Sequence, residues 1–365
     1  MKDRNLLRLR LWSVDTSTEW LSWAKVIAIA AVVAIHTVGY NAVVDGARQS
    51  NLGRFAIAVD AAAVFCVPLF VMVSGALLLN PERFSSTRAY YRKRALRIIP
   101  ALLFWHLFYW IFLVVVLDAD VSPARFVINA MNGRLYTGLY YFWIVLGLVA
   151  IVPLLIPWIS QTRRRHVAVA GFALAGIPAL TVFTHDWRGG EDVWVETAWT
   201  WWIFYTGLFL LGWAFRSVVL TRRWTLVGLV GILALAALFA WVWRNPSAPQ
   251  LLARILKGDY YGGATCIYAI LVFVVLHSLI AHYAVFSALV RGRAARLGRT
   301  LGDATLGVFV LHGAVLVLVI RSHALGTDNV APSGFALIAR YLVVLGGTYA
   351  VILVARRIPW IRNLT

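Results

Sequence analysis

Apolar residues run along this chain in long unbroken stretches, separated by short polar connectors. Ten stretches stand out, at about 20–40, 55–79, 98–117, 140–159, 166–184, 199–219, 224–243, 260–283, 301–320 and 336–356. Each approaches the ~20 apolar residues that an α-helix needs to cross a bilayer. None shows the period-two alternation of a membrane β-strand, so the pattern predicts an all-α polytopic membrane protein of about ten transmembrane helices. The connectors leave no room for a separate soluble domain. The expected organisation is an N-terminal tail over 1–19, one transmembrane domain over 20–356 and a C-terminal tail over 357–365.

Composition sharpens this picture. Of 365 residues, 61% are hydrophobic and 13% are charged. A soluble domain carries roughly 25% charged residues, so lipid must replace water around most of this chain. The net charge of +19 raises the question of nucleic acid. The basic residues are dispersed between apolar segments instead of forming one stripe, so no nucleic-acid partner is expected. Topology accounts for them. More than two thirds of the 34 Lys and Arg fall in alternate connectors: the N-terminal tail, 80–97, 160–165, 216–223, 284–300 and the stretch from Arg356. By the positive-inside rule that side is cytoplasmic, and an even number of helices puts both termini there. The location implied is a membrane of inner-membrane type, crossed many times. No cleavable signal pattern precedes the first segment, which is expected to stay as an anchor.

The opposite side collects acidic residues and a Trp-rich connector from Trp187 to Trp202. Its indoles suit the interfacial aromatic belt; a sugar-stacking platform is the alternative. Cys66 and Cys266 lie inside apolar segments and read as small buried hydrophobes, not a disulfide framework. No metal site is expected.

Ionisable groups inside membrane segments are costly and mark where chemistry should be sought. The first segment carries Lys25 near one end and His36 near the other. Eleven residues make three turns plus about 20°, so both point the same way, roughly 16 Å apart along the axis. Taken singly, Lys25 also suits snorkelling to headgroups and His36 an interfacial position. Asp60 in the second segment lies at a depth similar to His36. A carboxylate on one imidazole nitrogen would leave the other free as a base; pairing with Arg54 is the alternative for Asp60. The third segment opens YYRKRALRIIP, in which Arg94 and Arg97 share a helical face at the membrane surface. Two guanidinium groups there suit a phosphorylated ligand, although attraction to anionic lipid needs the same residues. His106, His277, His312 and Arg340 are the other polar groups in apolar segments.

Several of these motifs, in this order, resemble the acyltransferase 3 family of membrane O-acyltransferases. The likeness is to its compact ten-helix bacterial branch, which acts on surface glycans and glycolipids. Lys25 and His36 match the family's basic residue, ten residues, then His. Arg94 and Arg97 match its Arg-x-x-Arg pattern. FCVPLFVMVSGALLL, which contains Ser74 and Gly75, is similar to the family's second-helix stretch. YYFWIVLGLVAIVPLL is similar to its fourth helix, and LGVFVLHG and RRIPWIRN to its end. Where members often have His before the fourth-helix Trp, this chain has Tyr140, Tyr141 and Phe142 before Trp143.

The resemblance implies transfer of an acyl group, most often acetyl, from acyl-coenzyme A to a hydroxyl beyond the membrane, on a glycan or glycolipid. Acetyl-CoA would be the donor substrate, with no metal. The donor would be held by Lys25, Arg94, Arg97 and Ser74. His36 would be the general base, oriented by Asp60, and Tyr141, Trp143 and His312 would meet the acceptor. The expected route is a continuous polar passage from Arg97 to His36. A covalent acyl-histidine is the rival mechanism. Homo-oligomerisation is left open. The rival functions are a transporter or flippase for an envelope lipid or sugar, and a non-enzymatic assembly partner.

Overall fold

The computed structural model describes residues 12–14, 18–185, 196–325 and 329–365. The Trp187–Trp202 connector up to position 195 and the tail through Leu11 lie outside the described residues.

Fifteen α-helices follow one another among the described residues: α1 (Trp20–Val43), α2 (Asn51–Ala63), α3 (Cys66–Leu78), α4 (Thr87–Ile111), α5 (Pro123–Met131), α6 (Tyr140–Gln161), α7 (Arg164–Thr184), α8 (Thr206–Phe215), α9 (Arg222–Arg244), α10 (Gln250–Ile255), α11 (Gly263–His282), α12 (Ala284–Ser287), α13 (Gly292–Asp303), α14 (Thr305–Arg321) and α15 (Gly334–Ala355). Eight spans are long and apolar enough to cross a membrane, with α2 and α3 counted together. The bent pair α13–α14, broken by 59°, makes a ninth if it is one span, and Ile203–Phe215 is a shorter apolar helix. Every predicted apolar segment therefore contains helix. The side chains around the outside are themselves apolar: Leu103, Leu154, Val169, Leu180, Val230 and Phe335 are all exposed. Water would penalise such a surface and hydrocarbon does not, so the protein is a multi-pass membrane protein.

Three boundaries differ from the hydropathy reading. Helix α4 starts at Thr87 and not near 98. Ser86 caps it, accepting from the Ala89 N–H at 3.2 Å, and YYRKRALR is a good helix-forming run outside the apolar stretch. Hydropathy marks the part of a helix that meets lipid, not where the helix begins. The sixth segment is a helix only over Thr206–Phe215, after a 3₁₀ turn at Ile203–Tyr205. Its far end is strand instead: β2 (Val218–Leu220) pairs antiparallel with β1 (Trp12–Val14), a small exception to the all-α expectation. The ninth segment is preceded by α13, a basic helix that meets α14 at the 59° bend.

Close backbone packing fixes α3, which carries much of the site. A Cβ on Gly75 would sit 1.8 Å from the Phe209 carbonyl oxygen of α8, and one on Gly212 would sit 1.9 Å from the Met72 carbonyl oxygen of α3. Two glycines facing each other's backbone let these helices approach as small residues do in lipid, where packing replaces the hydrophobic effect. Arg340, fully buried in α15, donates to the Asn329 and Leu325 carbonyls, and Asn41 exchanges two 3.0 Å bonds with the Ala331 backbone. These two residues tie the chain before α15 to α1, which accounts structurally for a buried arginine.

Candidate active site

A cavity of about 570 Å³ opens at the Lys25 end of α1. Its walls bring together all four residues predicted for the donor, Lys25, Ser74, Arg94 and Arg97, from α1, α3 and α4. Arg83 and Lys93 add two further cations. Five basic side chains surround one hollow, and guanidinium groups suit phosphate because they donate in a planar fork. The Arg94 guanidinium lies 5.5 Å from the Tyr90 ring centroid, and its Nε is buried without a hydrogen-bond partner. A buried donor left unpaired in a cationic cavity is what an anionic ligand would satisfy. Lys25 Nζ lies 3.5 Å from the Asp303 carboxylate, where α13 ends.

Sequence reasoning missed Arg83, Lys93 and Asp303. The charge density of 80–97 was the available signal for the first two. Asp303 had none, because it reaches the cavity only through the bend between α13 and α14.

At the other end of α1, the His36 ring lies 5.0 Å from the His312 ring of α14, centroid to centroid. His312 is buried, and its Nδ1 lies 2.6 Å from the Phe309 carbonyl. A carbonyl accepts only, so Nδ1 carries the proton in the neutral ring and Nε2 keeps its lone pair. His36 is half-buried and has no hydrogen-bond partner among the described residues.

The expected His36–Asp60 pair is not formed. Asp60 has no hydrogen bond to His36 and lines a second cavity of about 530 Å³, with Val43, Asp45, Arg48, Gln49 and Trp243. Equal depth in a bilayer does not fix the direction in which a helix points its side chains, and α2 places Asp60 on the wall of this second cavity. The imidazole of His312, which the sequence placed on the acceptor, is what stands beside His36. Eighteen residues separate Lys25 from Val43 on α1, about 27 Å of rise, so the two cavities open at opposite ends of the bundle.

Tyr141 and Trp143 do not act together. Two positions along a helix are 200° apart. Tyr141 faces inward, its hydroxyl toward Ser74 and its ring 4.8 Å from Phe309. Trp143 donates from Nε1 to the Ala130 carbonyl at 2.9 Å and packs edge-on at 5.8 Å against His106, away from the histidine pair. His106 in turn points Nδ1 at the Leu102 carbonyl, and His277 stacks on Trp20 at 4.4 Å, so both are packing histidines.

Between the donor cavity and the histidines stand aromatic side chains. The cavity floor is set by Ser74, Leu77, Thr305 and Leu306. Beyond it lie the rings of Phe70, Tyr141 and Phe309, all buried, before His312 is reached.

The helical membrane protein thus has a cationic cavity at one end of α1 and paired imidazoles toward the other. The family model described as "Acyltransferase domain" matches residues 18–362, nearly the whole chain, so the chain belongs to the acyltransferase 3 family. No curated protein and no solved structure matches it.

Proposed function

We propose that the protein is a membrane O-acyltransferase of a bacterial plasma membrane, with both termini in the cytoplasm. It moves an acetyl group from cytoplasmic acetyl-CoA to a hydroxyl of an extracytoplasmic glycan or glycolipid. The observation that carries this reading is the convergence of Lys25, Ser74, Arg94 and Arg97 on one cationic cavity at the opposite end of α1 from His36. The phosphates of coenzyme A would lie among Arg83, Lys93, Arg94 and Arg97, with the pantetheine arm directed past Ser74. The roughly 16 Å between Lys25 and His36 is comparable to that arm.

At the far end, His36 takes the proton from the acceptor hydroxyl as general base. The oxygen then adds to the thioester carbonyl, the C–S bond breaks, and the ester leaves on the acceptor. The thiolate of coenzyme A takes up a proton, so the reaction consumes no other reagent. Direct transfer is the step proposed, with an acyl-histidine as its rival. The acceptor would approach from the end that holds the second cavity, where Asp60, Asp45 and the Trp243 ring offer acceptors and an apolar face to a sugar.

Two cavities at opposite ends with a closed layer between them are also what a carrier needs, so the test must read chemistry and not movement. Membranes containing the protein receive acetyl-CoA labelled in the acetyl group, and ester-linked label in envelope material is measured. The proposal expects base-labile label with the wild type and none with His36→Ala that inserts normally. Absence of label with the wild type would remove the acyl-transfer reading.

A further inference from the structure

Two helices each place a cavity-lining residue next to an aromatic ring one step deeper, and a third adds a ring beside them. On α14, Thr305 and Leu306 line the donor cavity, Phe309 follows three residues on and His312 three further, steps of about 4.5 Å each. On α3, Ser74 lines the cavity and Phe70 lies one turn beyond. On α6, Tyr141 turns its hydroxyl to Ser74. The three rings touch one another: Tyr141 and Phe309 at 4.8 Å, Phe70 and Tyr141 at 6.0 Å, and Phe70 and Phe309 at 6.0 Å in an edge-to-face pair. Phe309 then meets His312 at 6.1 Å, edge to face. All three side chains are buried, none more than 7% exposed. One aromatic layer thus separates the cationic cavity from the imidazole pair.

We infer that Phe70, Tyr141 and Phe309 form the gate through which the donor thioester reaches the histidines, and that the width of its opening sets the acyl chain the enzyme accepts. The inference rests on the acyl-transfer reading. Opening the layer requires these rings to rotate about their side-chain bonds into other rotamers. Phe309 is the member best placed to act on both sides. Its ring closes the layer, while its backbone carbonyl holds His312 Nδ1 at 2.6 Å. Rotation of the ring leaves that carbonyl, and so the imidazole, in place. A short acyl group would pass such an opening, whereas each added methylene must find room among rings packed at interior density. The closed layer also keeps water and protons from crossing between the cavities when no donor is bound.

The test uses membranes containing the full chain, with acetyl-, butyryl- and octanoyl-CoA labelled in the acyl group and transfer to envelope material as the readout. The wild type should use acetyl-CoA best and octanoyl-CoA least. Phe309→Ala should raise the octanoyl-to-acetyl ratio of kcat/KM by about tenfold, the scale of discrimination that pocket volume provides. Phe309→Leu and Phe70→Leu should raise it less, and they make the same comparison where the alanine variant does not accumulate. Phe309→Trp should depress butyryl transfer more than acetyl transfer. An unchanged chain-length profile in all four variants, or a wild type that takes octanoyl as readily as acetyl, would overturn the gate while leaving acyl transfer standing. A wild type that transfers none of the three would overturn the underlying reading instead.

Discussion

The rings of His36 and His312 lie 5.0 Å apart on neighbouring helices, and only one of them has its tautomer fixed by the backbone. His312 donates its Nδ1–H to the Phe309 carbonyl, which fixes its tautomer and leaves its Nε2 lone pair free. His36 has no hydrogen bond among the described residues, and its assignment as the base follows the family pattern that Lys25 and His36 match. His36→Ala should therefore lower kcat by about 100-fold or more, the usual contribution of a positioned base. His312→Ala should lower kcat by a smaller factor, about tenfold, with both KM values little changed, because it removes the ring that positions His36. Steady-state transfer of labelled acetyl by the two variants separates these roles. Equal losses in both would mean that the proton is shared across the pair.

The donor cavity predicts a separation of the two substrates. Arg94→Ala combined with Arg97→Ala should raise the KM for acetyl-CoA at least tenfold, because hydrogen bonds to charged groups contribute about 1.5–3 kcal/mol each. The acceptor KM should move much less. Arg83→Ala should act in the same direction and more weakly, since its single charge lies in the turn after α3. Initial rates with each substrate varied in turn provide the check. Parallel changes in both KM values would count against a phosphate clamp.

Asp303 is the one carboxylate among the described residues that line the donor cavity, and it lies 3.5 Å from Lys25 Nζ. Removing its charge frees Lys25 for the ligand. Asp303→Asn should lower the KM for acetyl-CoA by about two- to fivefold at low salt, a range set by the modest strength of partly exposed ion pairs. The gain should shrink as ionic strength rises, because the Debye length falls to about 8 Å near 0.15 M. A salt-independent effect, or a higher KM, would show that Asp303 contacts the donor directly.

The apolar stretches foretold helices because a bilayer leaves the backbone few alternatives, and Lys25 and His36 could be aligned because helix geometry fixes direction within one element. Arg94 and Arg97 were legible for the same reason. The relation between helices was not. Asp60 and His36 share a depth but not a direction, and nothing in the one-dimensional pattern shows which way α2 is turned. Tyr141 and Trp143 looked equivalent beside each other in the sequence, yet 200° of helix separates them. The aromatic layer escaped notice because Phe70 and Phe309 look like ordinary lipid-phase residues until their rings are brought together in the fold. Asp303 needed the 59° bend, which occurs within an unremarkable Asp-Ala-Thr sequence.

That placement of α3 can be tested through its glycines. Gly75 and Gly212 each face the other helix's backbone, so a methyl group at either cannot be absorbed by a flexible side chain. Gly75→Ala must push α3 and α8 apart, at a cost of about 1–3 kcal/mol or more for overpacking. The displacement carries Ser74 and Phe70 with it, so activity should fall even at temperatures where the variant stays folded. Gly346→Ala is the control, because nothing lies within 4 Å of the added carbon in α15. There the helix gains up to about 1 kcal/mol in propensity, and the melting temperature should hold or rise. Thermal unfolding of the purified variants in detergent reads both. If Gly75→Ala melted with the wild type, the contact between α3 and α8 would have to be looser than 1.8 Å implies, and the position of Ser74 at the cavity floor would lose its support.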